Sequence, residues 1–143
     1  MEGKIIKKKG LRIHGKRAHP EVRECFVRFA KWLRQEKSFP VRVNVYLSPH
    51  PYIFARDGDK CTGTIWIPDD PGCFPYIRVA TGDYEQRKKE DGRDIALASD
   101  LCTLCHELIH YWQWLKTDKL WEKGVARQAL AMIDRYAETT DHP

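Results

Sequence analysis

The segment LCTLCHELIHYWQWLK carries the densest group of chemically useful side chains in the chain. His106, Glu107 and His110 form the pattern HExxH. Four residues is slightly more than one helical turn, so on a helix both imidazoles project from one face, one above the other. Two neutral ring nitrogens at that separation can hold one zinc ion. Glu107 lies about 100° around the same helix. From there it can reach a water on the ion's open position and act as general base. The neighbouring residues predict the helix this chemistry needs. Leu101, Leu104, Cys105, Leu108, Tyr111, Trp112 and Leu115 form an apolar face, and both histidines lie on the other side.

A catalytic zinc usually takes three protein ligands, so a third must come from elsewhere. Gln113 and Lys116 stand where a metzincin continuation needs Gly and His, which excludes that group. The downstream candidates are Glu122, Asp134, Glu138 and His142. Residues 120–138 read as a last helix. On it Ala126, Ala129, Ile133 and Tyr136 share the inward side with Glu122, while Asp134 and Glu138 face away. A returning antiparallel helix brings Glu122 within about 6 Å of the level of His110, and Glu138 overshoots by about 18 Å. Glu122 is the first choice for third ligand and Glu138 the second. The structural alternative for Glu122 is a carboxylate favoured by the helix dipole.

The same stretch contains a competing pattern. Cys102, Cys105 and His106 form CxxCH, the c-type haem attachment sequence. Haem attachment belongs to oxidising, exported compartments, and no apolar segment follows the basic N-terminus. That reading also leaves Glu107, His110 and Glu122 unused. A structural zinc site on Cys61, Cys73, Cys102 and Cys105 needs two CxxC knuckles, and the sequence has one. Five cysteines, an odd number, are expected to be reduced thiols. Cys105 is expected in the core, with Cys102 one turn before His106.

The elements that must position this group follow from hydrophobic period and punctuation. Pro20 opens a helix whose stripe is Val22, Cys25, Phe26, Phe29, Ala30 and Leu33, ended by Ser38-Phe39-Pro40. VRVNVYLS (41–48) alternates as a half-buried strand. Residues 49–60 read as loop. CTGTIWIP (61–68) and PYIRVATG (75–82) read as a hairpin, and residues 83–93 as a charged connection. The motif helix is predicted from Asp94 to about Lys116. The expectation is an α+β fold: an N-terminal helix, a small three-stranded, mainly antiparallel sheet, the motif helix, and a C-terminal helix bearing Glu122.

The 143 residues suit one domain, and 42% hydrophobic with 11% aromatic content excludes a disordered chain. No apolar run approaches the ~20 residues of a membrane span, so no membrane association is expected and the cytoplasm is the expected compartment. The net charge of +5 sits in the first twenty residues, which hold seven Lys/Arg against one Glu. Residues 1–18 are therefore expected to be a flexible basic segment ahead of a single domain at 19–143. Such a segment offers only a weak nucleic-acid contact, and no aromatic residue lies within Lys4–Lys9 to stack on bases.

HELIH followed by a helix with an inward glutamate resembles the gluzincin branch of the zincin metallopeptidases, and the small preceding sheet is similar to the minigluzincin scaffold. The resemblance covers Leu101–Tyr136. It implies one zinc per chain on His106, His110 and Glu122. It also implies that Glu107 polarises the water for hydrolysis of a peptide or protein substrate held extended along an edge strand. Thermolysin-like members place their glutamate farther downstream in an Asn-Glu motif that this sequence lacks. A further tyrosine or histidine steadies the oxyanion in the family, and no position here is assigned to it. The alternative expectation is a non-catalytic metal-binding or interaction domain on the same scaffold.

Overall fold

The computed structural model describes residues 8–70 and 72–143. In chain order the elements are β1 (Leu11–His14), α1 (Pro20–Glu36), β2 (Val43–Ser48), β3 (Ile53–Phe54), β4 (Lys60–Cys61), β5 (Gly63–Trp66), β6 (Tyr76–Ala80), α2 (Tyr84–Asp91), α3 (Arg93–Thr117) and α4 (Val125–Ala137). The combination of helices with a small sheet is as expected.

Pro20 sits in the first turn of α1, where its missing N–H costs nothing. The His19 ring accepts a hydrogen bond from the Glu21 amide at 3.1 Å. All six residues of the expected apolar stripe are fully buried. They pack under a sheet whose inward residues include Leu11, Val43, Val45, Leu47, Ile77 and Val79.

That sheet departs from expectation in strand number and direction. It has four strands in the order β1-β2-β6-β5. β1 and β6 both run parallel to β2, and only β5 is antiparallel, to β6. The expected hairpin of the second and third predicted strands is the β5–β6 pair. The mainly antiparallel three-stranded sheet is corrected to a mixed, mainly parallel one because β1 was hidden. Its alternation of Leu11 and Ile13 with Arg12 and His14 lasts four residues amid lysines and arginines. Once β1 exists, α1 is the crossover that a parallel β1–β2 pair requires. The expected flexible segment 1–18 is corrected accordingly: its later part belongs to the sheet, and residues 1–7 lie outside the described residues.

Three other local differences have physical causes. Residues expected as loop form the short β3–β4 ribbon, turned at Gly58 with φ +91°. The charged connection at 83–93 contains helix α2, whose only buried residue is Tyr84 and which therefore shows no apolar stripe. α4 begins at Val125 and not near 120. Gly124 (φ 83°) and Asp118 (φ 62°) are both left-handed, so residues 118–124 form a loop between α3 and α4. Among the described residues no helix is long and apolar enough to cross a membrane.

Candidate metal centre

α3 runs unbroken for 25 residues and is buried on most sides, which fixes the motif inside the molecule. Leu101, Leu104, Cys105, Leu108 and Tyr111 are fully buried against the sheet and α1. His106 and His110 project from the side facing α4, their ring centroids 5.2 Å apart.

Glu122 meets both rings. Its Oε2 lies 3.0 Å from His106 Nε2 and its Oε1 lies 2.9 Å from His110 Nε2. One ligand atom from each of the three residues falls within 4.8 Å of the others. Among the described residues no other group of three His, Cys, Asp or Glu side chains converges in this way. Glu138, the second choice, caps the far end of α4 and is not in the group. The site of Glu122 in the chain differs from expectation: it sits in the 118–124 loop, ahead of α4, and not on a helix. The helix-face argument for it therefore does not apply. The antiparallel return of the chain does, because the loop folds back along the end of α3.

Gln113 fixes the geometry of this loop and of one histidine. It is 6% exposed. Its amide Nε2–H donates to the Trp121 carbonyl at 3.0 Å, and its Oε1 accepts from the Trp121 N–H at 3.0 Å. That pair of bonds determines which amide atom is oxygen. The same Oε1 lies 2.8 Å from His110 Nδ1, so Nδ1 carries the proton and donates. His110 Nε2 faces the Glu122 carboxylate 2.9 Å away. Either a proton on Nε2 or a divalent cation shared by the ring and the carboxylate satisfies that contact. The donor set, two imidazole nitrogens and a carboxylate, suits zinc.

Glu107 points into the space beside the rings and is 8% exposed. Burial pushes its carboxyl above the ordinary 4.5; His106 and His110 oppose the rise and Glu122 adds to it. Strand β5 passes directly over it. A Cβ on Gly63 would lie 2.6 Å from Thr103 Cγ2 and 3.3 Å from Glu107 Oε2, so only glycine lets strand and helix approach this closely. The cleft beside this contact has a volume of about 420 Å³; Cys61, Cys102, Thr103, His106 and Glu107 are among its lining residues. Of the three converging residues only His106 lines this cleft; the Glu122 side chain is 74% exposed, against 32% for His106 and 6% for His110.

The cysteines are free thiols. Cys105 is in the core, where burial raises its pKa strongly. Cys102 and Cys61 line the cleft, and burial raises both, helped at Cys61 by the Glu107 charge. The two tyrosines nearest in sequence are committed elsewhere. Tyr111 donates its hydroxyl to the Val41 carbonyl, and Tyr136 packs on Phe29 and Trp32. Sequence reasoning missed Gln113 and Gly63. A glutamine three residues after a ligand histidine carries no signal until its partner, the backbone of Trp121, is known to be adjacent.

Comparison of the chain with protein-family models, with curated proteins and with solved structures returns no match.

Proposed function

We propose that the chain is a zinc-dependent hydrolase of peptide bonds, built on the gluzincin plan, with His106, His110 and Glu122 as the metal ligands and Glu107 as the general base. The observation that carries the reading is the position of Glu107. A metal held only for structure needs the two imidazoles and Glu122, yet a fourth polar side chain is buried beside them on the floor of an open cleft. Nothing in the packing of α3 requires a carboxylate there.

A zinc ion bound at this centre supplies a Lewis acid that polarises a carbonyl oxygen and makes a water acidic near neutral pH. The chain's own residues do the rest. Glu107, its pKa raised by burial, takes the proton from the attacking water and later returns it to the departing amine nitrogen. The bond cleaved is the peptide C–N, and the water oxygen ends in the new carboxylate. β5 lies at the edge of the sheet order, so its outer backbone groups can pair with an extended peptide. Gly63 brings that edge next to Glu107, which sets a scissile carbonyl beside the general base.

The test is Glu107→Gln assayed for zinc content and for cleavage of an unstructured protein such as casein. Zinc near one per chain with cleavage reduced about 10²–10⁴-fold supports the reading. Equal zinc and no cleavage by either protein favours a non-catalytic metal-binding domain.

A further inference from the structure

The loop that carries Glu122 has no regular backbone pairing of its own, yet its carboxylate meets both imidazoles. Residues 118–124 lie between two left-handed positions. Inside the loop, Lys119 N–H bonds only to the Thr117 hydroxyl, at 3.2 Å. At Trp121 both backbone groups turn inward to one side chain, Gln113. Gln113 is one turn past His110 on α3, and its Oε1 also takes the proton of His110 Nδ1. One buried amide thus joins a ligand on the rigid helix to the residue preceding a ligand on the loop.

We infer that Gln113 is the positioning residue of this centre, a latch that holds the His110 ring by its Nδ1–H and the Trp121–Glu122 backbone against α3 before any ion arrives. The inference rests on the metal-centre part of the proposed function and not on the hydrolytic part. Two consequences follow from the bonding. The first is that His110 keeps a proton on Nδ1 without metal, because only Nδ1–H can donate to an oxygen whose orientation Trp121 has already fixed. The second is that Gln113 and Glu122 are energetically linked, because Gln113 acts on Glu122 only through the loop.

The experiment uses the full chain freed of metal by a chelator. Nitrogen-15 shifts of the His110 ring report the tautomer, and competition with a chromogenic chelator gives the zinc Kd of wild type, Gln113→Ala, Gln113→Glu and Glu122→Ala, and of Gln113→Ala with Glu122→Ala. The wild type is expected with Nδ1 protonated, and Gln113→Ala with a mixture of tautomers. Gln113→Ala is expected to weaken zinc about 10–100-fold. In the Glu122→Ala background the same change costs a smaller factor, since the loop contribution is already gone. Gln113→Glu keeps the acceptor oxygen but loses the donor to the Trp121 carbonyl. It is expected to preserve the tautomer while still weakening zinc, and it decides the question if Gln113→Ala does not fold.

A wild-type His110 with no proton on Nδ1 overturns the inference. So does an unchanged Kd in Gln113→Ala, or an equal factor in both backgrounds, which is what a merely structural role gives. A wild type that binds no zinc removes the metal centre and the latch together. A wild type that binds zinc with the expected pattern but cleaves no peptide upholds the latch and removes only the hydrolase.

Discussion

His110 is hydrogen-bonded at both ring nitrogens, whereas the recorded bond of His106 is at Nε2 alone. His110 is also far more buried than His106. The more constrained ring pays less ordering entropy on binding, so the two ligands are not equivalent. His110→Ala is expected to lower zinc affinity by more than about 100-fold, beyond the loss from any supporting residue. His106→Ala is expected to lose less. Equal losses by competition titration would show that the Gln113 bond contributes nothing to binding. At this scale much was legible in the sequence. The spacing of His106 and His110 gives their shared face directly from helical geometry, and the need for a third ligand directed attention to the residues downstream, though Glu122 meets the rings from a loop and not from a helix face. What could not be read was Gln113, because its role depends on backbone atoms eight residues away.

At the scale of elements, the contact between β5 and α3 is the closest fit near the site. Gly63→Ala puts a methyl group 2.6 Å from Thr103 Cγ2, so strand or helix must shift. The expected cost is about 1–3 kcal/mol in urea denaturation. Hydrolysis is expected to fall further than zinc affinity, since the methyl group presses on Glu107 and not on the ligands. A variant with wild-type stability would mean the strand yields freely.

The α2–α3 packing carries a second measurable strain. Asp100 is 3% exposed and accepts from Arg87 Nη1 at 3.3 Å, but its Oδ2 has no hydrogen-bond partner. Burial pushes its carboxyl up to about 7, against the pull of Arg87. A folded value above the unfolded 3.8 means the native state holds this proton longer. The associated stability is therefore present below about pH 4 and is lost as the pH rises to about 7. Asp100→Asn is expected to gain on the wild type by on the order of 2 kcal/mol between pH 5 and pH 8, read from urea midpoints. A constant difference across that range would show the carboxylate is already ionised at pH 5. Neither α2 nor this buried acid was visible in the sequence. Helix α2 buries only Tyr84, so its residues lack the period that marks a packed helix. Strand β1 was missed for a related reason: four residues of alternation are too few to stand out among flanking charges. The bounds of α3, by contrast, were readable to within a residue or two, because its apolar positions repeat over seven turns.

For the molecule as a whole, a bound ion would join α3 to the loop at 118–124. Zinc that binds the folded chain alone stabilises it by mass action, about 2.7 kcal/mol at a free concentration one hundred times Kd. For a domain of this size that is a rise in Tm of about 5–10 °C. The rise should vanish in His110→Ala. A similar rise in that variant would place the ion elsewhere. The combination of helices with a small sheet and the order of the site-bearing elements came from the sequence. The sheet's parallel character did not, because strand direction is set by the connection through α1 and by no residue within the strands.

The exposure of Glu122 sets how an ion would come and go. The two imidazoles belong to a helix fixed in the core, and the carboxylate sits on a seven-residue bridge between Asp118 and Gly124 that is tied to that helix through Gln113. Lifting that bridge would require breaking the two Gln113–Trp121 bonds, and it would leave a two-nitrogen perch that holds metal weakly. Loading and stripping would then need this latch to open and not the core, so occupancy would follow the surrounding supply of free zinc and would not be locked in when the chain is made.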